Sequence, residues 1–162
     1  MPKNMIVVGM ADLNIVKSPG VLTTLGLGSC VGIALYDPIS KIAGLAHIML
    51  PDSKAIHNNA NPAKFADTAM IKLIADMERI GAKRKSLRAK IAGGAQMFAF
   101  NATNENLRVG DRNIEAVKRA LVDCGIPLIA EEVGSTFGRT VELYSEDGRF
   151  VIKAIGQPLR TL

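Results

Sequence analysis

The stretch VLTTLGLGSCVGIALYDPISKIAGLAHIML, residues 21–50, decides the fold. It predicts three strands, at residues 21–25, 29–36 and 42–50, because apolar and β-branched residues run between turn-forming breaks. Glycines separate the first two strands, and the sequence DPIS, residues 37–40, is typical of a four-residue loop with proline second in a type I turn. The stretch therefore predicts consecutive antiparallel strands of one sheet.

The expected register of these strands brings a thiol to an imidazole. A four-residue loop at 37–40 places Cys30 opposite His47, and a five-residue loop at 25–29 places Thr24 opposite Cys30. Directly opposed residues point to the same face, with Cβ atoms about 4.5–5.5 Å apart. We therefore expect the three side chains in one row across three strands, although a slip of one residue would turn a member to the opposite face.

A cysteine and a histidine in contact could cleave an amide. A free thiol is only a few per cent thiolate at neutral pH, so Cys30 needs a partner such as His47 to take its proton. The thiolate could then attack an amide carbonyl, and the imidazolium could protonate the leaving nitrogen. A thioester would remain for water to hydrolyse. The hydroxyl of Thr24 could orient the imidazole.

Small residues leave the backbone before Cys30 open. Gly26, Gly28 and Ser29 could present N–H groups as an oxyanion hole, in which one donor is worth roughly 3 kcal/mol. The Gly26-x-Gly28 pattern lacks the third glycine of a dinucleotide-binding loop, and the residues after it predict a strand rather than a helix. No GxxxxGK[ST] motif is present. We therefore predict no nucleotide cofactor.

Structural roles for the same residue types remain open. Cysteine is among the most buried residue types, so Cys30 could simply belong to the core, and His47 could be a hydrogen-bonded, half-buried histidine. Cys124 lies on the apolar face of a predicted helix, which favours a structural role. His57 lies in a polar loop, which predicts a surface position or, alternatively, the rim of a substrate site.

The rest of the chain predicts further strands and two helices. Asn61-Pro62 is a helix start and Gly81 a helix end, with helical apolar spacing between them. A second helix is predicted at 112–124. The remaining predicted strands are residues 5–10, 13–17, 87–92, 126–133, 139–144 and 150–155. Many strands with two helices, without regular alternation, predict a single α+β domain over residues 1–162, a β-sandwich with flanking helices.

Composition narrows the class of protein. The chain has 162 residues, a formal net charge of +5 and two cysteines, without CxxC, HxE or HExxH spacing, so we predict no metal site. We predict a cytoplasmic protein, since no signal peptide or membrane-length apolar run is evident. Aromatic residues do not interleave with the basic cluster, which argues against nucleic acid. That cluster is predicted to be a solvated rim or a docking surface for an acidic protein, and it comprises Lys83, Arg84, Lys85, Arg88 and Lys90.

Four segments together resemble one family. These are TLGLGSCV at 24–31, HIMLPDS at 47–53, KIAGGAQMF at 90–98, and Arg112-Asn113. The chain resembles CheD, the chemoreceptor glutamine deamidase family, over nearly its whole length. The resemblance implies a catalytic triad of Cys30, His47 and Thr24, and a fold similar to the catalytic domain of cytotoxic necrotizing factor toxins. Gly94 and Phe98 are candidates for substrate or partner contacts, with loop or core packing as the alternative for Phe98.

The resemblance also implies a substrate and a partner. The substrates would be glutamines on the cytoplasmic helical hairpin of methyl-accepting chemotaxis receptors, and glutamyl methyl esters could follow the same thioester route. The partner would be the response-regulator phosphatase CheC. Two other hypotheses stay open: an adaptor that binds and stimulates CheC without catalysis, and a small-molecule amidase, which an enclosed pocket around Cys30 would favour.

Overall fold

The computed structural model describes residues 4–55, 59–96 and 108–162. Two α-helices are present in these ranges, α1 (Ala66–Arg79) and α2 (Val109–Cys124), besides short 3₁₀ turns. The strands are β1 (Met5–Val7), β2 (Asp12–Lys17), β3 (Val21–Leu27), β4 (Val31–Asp37), β5 (Ile42–Ile48), β6 (Arg88–Gly93), β7 (Leu128–Val133), β8 (Arg139–Tyr144), β9 (Phe150–Lys153) and β10 (Arg160–Thr161).

The strands form two sheets that stack face to face. The first sheet has the order β1-β3-β8-β9-β10, and the second has the order β2-β5-β4-β6-β7. An inter-sheet core joins them, with Leu22 and Val141 from the first sheet against Leu45 and Ala34 from the second. The helices cover the other face of the second sheet, where a separate apolar cluster lies. The prediction of an α+β chain with two helices beside β-sheets is confirmed.

The central strands β4 and β5 are buried on both faces, which explains their continuous apolar sequence. Ile33 and Leu35 point to the helices, whereas Ala34 and Tyr36 point to the first sheet. A strand buried in this way cannot show the apolar–polar alternation of a half-exposed strand. Within the described ranges, no helix combines the length and the apolar character needed to cross a membrane.

The prediction that β3 and β4 are neighbours in one sheet is wrong. β3 belongs to the first sheet and pairs there with β8, where Thr24 lies opposite Val141. The β3–β8 pairing is irregular between Thr24 and Leu27, and Gly26 adopts a φ of 72°. Such a bulge bends a strand, so the chain leaves the first sheet and enters the second at β4. The predicted row of Thr24 beside Cys30 within one sheet is therefore not formed.

The β4–β5 hairpin differs from the predicted register without changing the face. Its loop spans 38–41 rather than 37–40, so His47 pairs with Gly32 instead of Cys30. Cys30 lies two residues before Gly32, directly ahead of β4, and packs with the inward-facing residues of that strand. Because side chains alternate with a period of two, a displacement by two residues keeps Cys30 and His47 on one side of the sheet.

Side-chain hydrogen bonds explain why this loop starts one residue later. The carboxylate of Asp37, the last residue of β4, accepts from the N–H groups of Ile39 at 2.9 Å and Ser40 at 3.2 Å. It also accepts from Lys83 N–H at 2.9 Å, which fixes the segment before β6. Asp37 is thereby both a strand residue and the anchor of the turn.

The helix ends follow the predicted signals with small shifts. Asn61 caps a short 3₁₀ turn at Pro62–Lys64, and α1 itself begins at Ala66. Helix α2 begins at Val109, three residues before the predicted start, and Gly125 closes it with a φ of 72°. Glycine favours this left-handed conformation, which explains the sharp C-terminal end.

Candidate active site

Cys30 and His47 lie at the same end of the second sheet, on the side that faces the first. Cys30 directly precedes β4 and belongs to the inter-sheet core, where it is 7% exposed. His47 is the penultimate residue of β5 and is 1% exposed. The neighbouring residues Gly28 and Ser29 are only half-buried, so the thiol lies just below the surface of the protein.

Thr24 reaches His47 across the gap between the two sheets. Its Oγ1 lies 2.7 Å from Nδ1 of His47, and the threonine is fully buried. The structure thus brings together the threonine and the histidine that the sequence singled out. It does so by stacking the sheets rather than by placing three strands side by side.

A second hydrogen bond fixes the proton on this imidazole. Thr24 Oγ1 donates to the backbone carbonyl of Val8 at 2.6 Å. A hydroxyl has only one proton to donate, so towards His47 it must act as an acceptor. The imidazole therefore carries its proton on Nδ1, and the lone pair is on Nε2.

Burial keeps both reactive groups neutral. It lowers the pKa of His47, and it raises the pKa of the Cys30 thiol, although the thiol's own backbone N–H opposes this in part. Nε2 of His47 is buried and accepts no hydrogen bond from the described part of the chain. Both directions favour an uncharged thiol beside a neutral imidazole over an ion pair.

The backbone around Cys30 offers two N–H groups. Gly28 N–H is occupied, because it donates to Gly26 O at 3.0 Å. Cys30 O accepts from Gly94 N–H at 2.8 Å, which ties the cysteine to β6. Among residues 4–55, 59–96 and 108–162, Ser29 N–H finds no acceptor and Cys30 N–H finds only its own thiol. They are the donors that remain for a developing oxyanion.

Gly94 is buried against α2. A Cβ there would lie 2.4 Å from a carbon of Ile114 and 3.1 Å from Gly110 O, at a φ of +69°. These distances explain the need for glycine by packing, and the predicted substrate or partner contact of Gly94 stays a prediction. Phe98 and His57 lie outside the described residues.

Asn113 is a residue of this site that the candidate list from the sequence omitted. It is fully buried on α2, and its Nδ2 donates to Ser29 O at 2.9 Å and to Met49 O at 3.0 Å. The sequence carried one signal for it: a polar residue in the stripe otherwise made by Gly110, Val117 and Leu121. A polar side chain buried in such a stripe needs partners, which here are the strand ends beside Cys30 and His47.

The basic cluster and Cys124 lie away from the thiol. Arg88 pairs with Tyr36 near the far end of β4, six residues from Cys30, or about 20 Å along an extended strand. Lys83, the first residue of the cluster, is exposed near the same end. Cys124 is the last residue of α2, a free and partly buried cysteine packed on the helix-side cluster.

An open groove of about 980 Å³ runs along α2 and the segment after β5, and neither Cys30 nor His47 lines it. The segment after β5 contributes Pro51 and Asp52, and α2 contributes Arg112 and Arg119. Both signs of charge line the groove, to which Asp52 and the two arginines all contribute. As for metals, nowhere in the described ranges do three or more potential ligand side chains cluster.

Comparison with known proteins identifies the relatives of this chain. A family model described as CheD chemotactic sensory transduction matches residues 49–154. A protein of Caldanaerobacter subterraneus subsp. tengcongensis, named as a probable chemoreceptor glutamine deamidase CheD, is 52% identical over 99% of both chains. A protein of Lachnoclostridium phytofermentans with the same name is 54% identical over 98% of both. The chemoreceptor glutamine deamidase CheD of Halalkalibacterium halodurans is 52% identical over 95% of this chain and 96% of its own.

A solved structure shares the fold. The Bacillus licheniformis hypothetical protein YfiH superposes with a TM-score of 0.50 over 77% of this chain, at 20% sequence identity. The matched region spans about half of that protein, 51% of its length. Such a likeness concerns the fold alone. The family resemblance predicted from the sequence is confirmed by the family model and the full-length relatives together: the chain belongs to the CheD family.

Proposed function

We propose that the protein deamidates glutamine side chains of chemotaxis receptors through a thioester on Cys30. The relatives of similar length are named for this activity. The observation that carries the cysteine mechanism is the fixed tautomer of His47. Its Nδ1 proton is held by Thr24, which leaves the basic Nε2 without a partner in the described structure, on the side of the sheet where Cys30 lies.

The first half-reaction forms the thioester. As Cys30 Sγ attacks the side-chain carbonyl carbon of a glutamine, its proton passes to Nε2 of His47. The resulting imidazolium is a stronger donor, so its hydrogen bond to Thr24 tightens as charge develops. The N–H groups of Ser29 and Cys30 stabilise the oxyanion. The imidazolium then gives its Nε2 proton to the amide nitrogen, the C–N bond breaks, and ammonia leaves.

The second half-reaction releases glutamate. Water attacks the thioester carbon while His47 takes a proton from it, and the C–S bond breaks. The proton returns to the sulfur, so the resting thiol and the neutral imidazole are restored. A glutamyl methyl ester gives the same thioester with methanol as the leaving group, so hydrolysis of receptor methyl esters follows from the same chemistry.

The surroundings of the thiol favour a macromolecular substrate over a free metabolite. Cys30 lies just below the half-buried backbone of Gly28 and Ser29, within reach of a side chain presented at the protein surface. A glutamine side chain that projects from a receptor helix could reach a thiol at this depth. We propose the cytoplasmic helical hairpin of the receptor as the substrate, acted on in the cytoplasm by a single-domain enzyme over residues 1–162.

Two further features of the hypothesis remain proposals. CheC is the proposed protein partner, and an adaptor that stimulates CheC without catalysis is the alternative function. The buried Thr24–His47 hydrogen bond argues for catalysis, because a pure adaptor has no need of an oriented imidazole. We also propose that the two stacked sheets are similar to the catalytic domain of cytotoxic necrotizing factor toxins.

Mass spectrometry of receptor cytoplasmic fragments tests the mechanism. We expect wild type to convert specific glutamines to glutamate and Cys30→Ala to convert none. The matched control is Cys124→Ala, which removes the other thiol, at the end of α2. It should lose some stability and keep its activity. Conversion by Cys30→Ala at the wild-type rate would refute a thioester on Cys30. Loss of activity in Cys124→Ala alone would indicate that Cys124 is the nucleophile.

A further inference from the structure

The strands that carry Cys30 and His47 separate at their catalytic end. The β4–β5 ladder closes with the pair Val31–Ile48. Beyond it, Cys30 O accepts from Gly94 N–H, just after β6, and Met49 N–H donates to Lys64 O at 2.9 Å. Each strand end thus takes a different neighbour. The ladder that would otherwise fix the distance between the two strands is missing where the chemistry is proposed.

The side chain of Asn113 occupies this split. Its two Nδ2 hydrogens go one to Ser29 O and one to Met49 O, at 2.9 and 3.0 Å. Ser29 directly precedes Cys30, and Met49 follows His47 by two residues. One amide group therefore bridges the strand of the nucleophile and the strand of the base, and replaces the missing ladder bonds.

The amide of Asn113 keeps one orientation although that orientation leaves a buried oxygen without a hydrogen bond. Oδ1 of Asn113 is buried and accepts no hydrogen bond from the described residues. Turning the amide over would place that oxygen against two carbonyls, so the observed orientation is the only one compatible with both neighbours. An apolar residue would fill the same position in the helix stripe without an orphaned acceptor.

Helix α2 is itself held firmly against the site. Gly110 packs so closely on the loop after β6 that a Cβ there would lie 2.5 Å from Gly94 O and 2.6 Å from Ala95 O. Gly94 in turn donates to Cys30 O. Asn113 is one turn further along α2, so its amide projects from a support that is already fixed to the cysteine's strand.

We infer that Asn113 is a positioning residue, which sets the separation of Cys30 Sγ and His47 Nε2 by bridging the two strand ends. This inference rests on the proposed cysteine mechanism. No hydrogen bond to Nε2 ties the imidazole to the thiol in the resting site, so the backbone has to define their relation. Displacement of reacting groups by about 1 Å can cost roughly 100-fold in rate.

The test uses the full-length Asn113→Ala variant with Val117→Ala as its matched control. Val117 is fully buried on the same helix, one turn on, and it contacts neither strand end through a hydrogen bond. On receptor fragments we expect kcat and kcat/KM of Asn113→Ala to fall together by roughly 100-fold. Val117→Ala should keep its kcat at temperatures where it is folded, although its melting temperature drops.

The rate of alkylation of Cys30 is a second readout, and it should rise in the variant whose kcat falls. In a Cys124→Ser background, iodoacetamide alkylates Cys30 alone, and its rate reports exposure and thiolate content. Without the bridge, the strand ends part, burial decreases, and the pKa of Cys30 falls towards its ordinary value. Asn113→Ala should therefore be alkylated faster at neutral pH while it turns over more slowly, and the pH profile should shift to lower pH. Val117→Ala should show neither change.

Two outcomes overturn the inference: a kcat of Asn113→Ala equal to that of Val117→Ala, or an unchanged alkylation profile. If Asn113→Ala does not fold, Asn113→Ser is judged by the same two criteria. Cys30→Ala is measured alongside. Activity in Cys30→Ala would refute the cysteine mechanism itself, whereas an inactive Cys30→Ala with a fully active Asn113→Ala refutes only the role of Asn113.

Discussion

Replacing Thr24 by valine isolates the hydroxyl that orients His47. Valine has nearly the same shape, so the packing between the sheets is retained while two hydrogen bonds are lost, to Nδ1 of His47 at 2.7 Å and to Val8 O at 2.6 Å. Thr23→Val is the matched control on the same strand. Thr23 is also buried, and its hydroxyl donates to Val141 O at 2.8 Å, away from the imidazole.

The expected loss follows from the charge on the imidazole. In the transition state of the proposed mechanism, His47 is an imidazolium, and a hydrogen bond to a charged group is worth about 1.5–3 kcal/mol. Because about 1.4 kcal/mol is a tenfold change in rate, Thr24→Val should lower kcat by roughly 10- to 150-fold. The buried Nδ1–H and Val8 O would each lose a partner, so stability should also fall, by about 1–3 kcal/mol for each group.

The assay is ammonia release from receptor cytoplasmic fragments, with urea unfolding of each variant. We expect Thr24→Ser to retain most of the activity, since it keeps the hydroxyl. Thr23→Val should lose stability but less than twofold in kcat. Equal kcat values for Thr24→Val and Thr23→Val would refute the argument that the threonine selects the reactive tautomer of His47.

Two further predictions concern stability. Gly94→Ala should lower the free energy of unfolding, measured in urea, by about 1–3 kcal/mol more than Gly134→Ala does. Both glycines have a positive φ, of +69° and +79°, but only Gly94 lacks room for a Cβ. Equal losses of stability would contradict the packing argument. Burial holds the pKa of His47 below its usual value near about 6.5, so the stability due to its neutral form is present above that pH and is lost as the pH falls through the folded-state pKa. The stability difference between wild type and His47→Gln should therefore shrink on acidification, and a constant difference between pH 7 and pH 5 would be inconsistent with a buried neutral imidazole.

Local sequence was enough to predict most elements and the pairing of two strands. The hairpin β4–β5 follows from apolar runs around DPIS, and the misplaced loop is explained by Asp37, whose carboxylate bonds two loop N–H groups. Cys30 and His47 still lie on the same side of the sheet, as predicted, because the register differs from the prediction by two residues. Helix ends at Gly81 and Gly125 also followed from glycine's backbone freedom.

The position of Thr24 could not be derived locally. Strand β3 pairs with β8, more than a hundred residues further along the chain, and this choice depends on how the two sheets bury their apolar faces. Short sequence separation suggested a neighbour of β4, whereas the bulge at Gly26 moves the chain to the other sheet. Asn113 was missed as a site residue for a related reason. Its partners are the backbone carbonyls of Ser29 and Met49, and because every residue has a carbonyl, the sequence does not show which ones accept from it.

The raised pKa of the buried Cys30 has a consequence for oxidative damage. Hydrogen peroxide converts thiolates, not thiols, to sulfenic acid, and it needs access to the sulfur. Because burial raises its pKa and leaves it 7% exposed, Cys30, the proposed nucleophile, should be oxidised by peroxide more slowly than an exposed cysteine with an ordinary pKa.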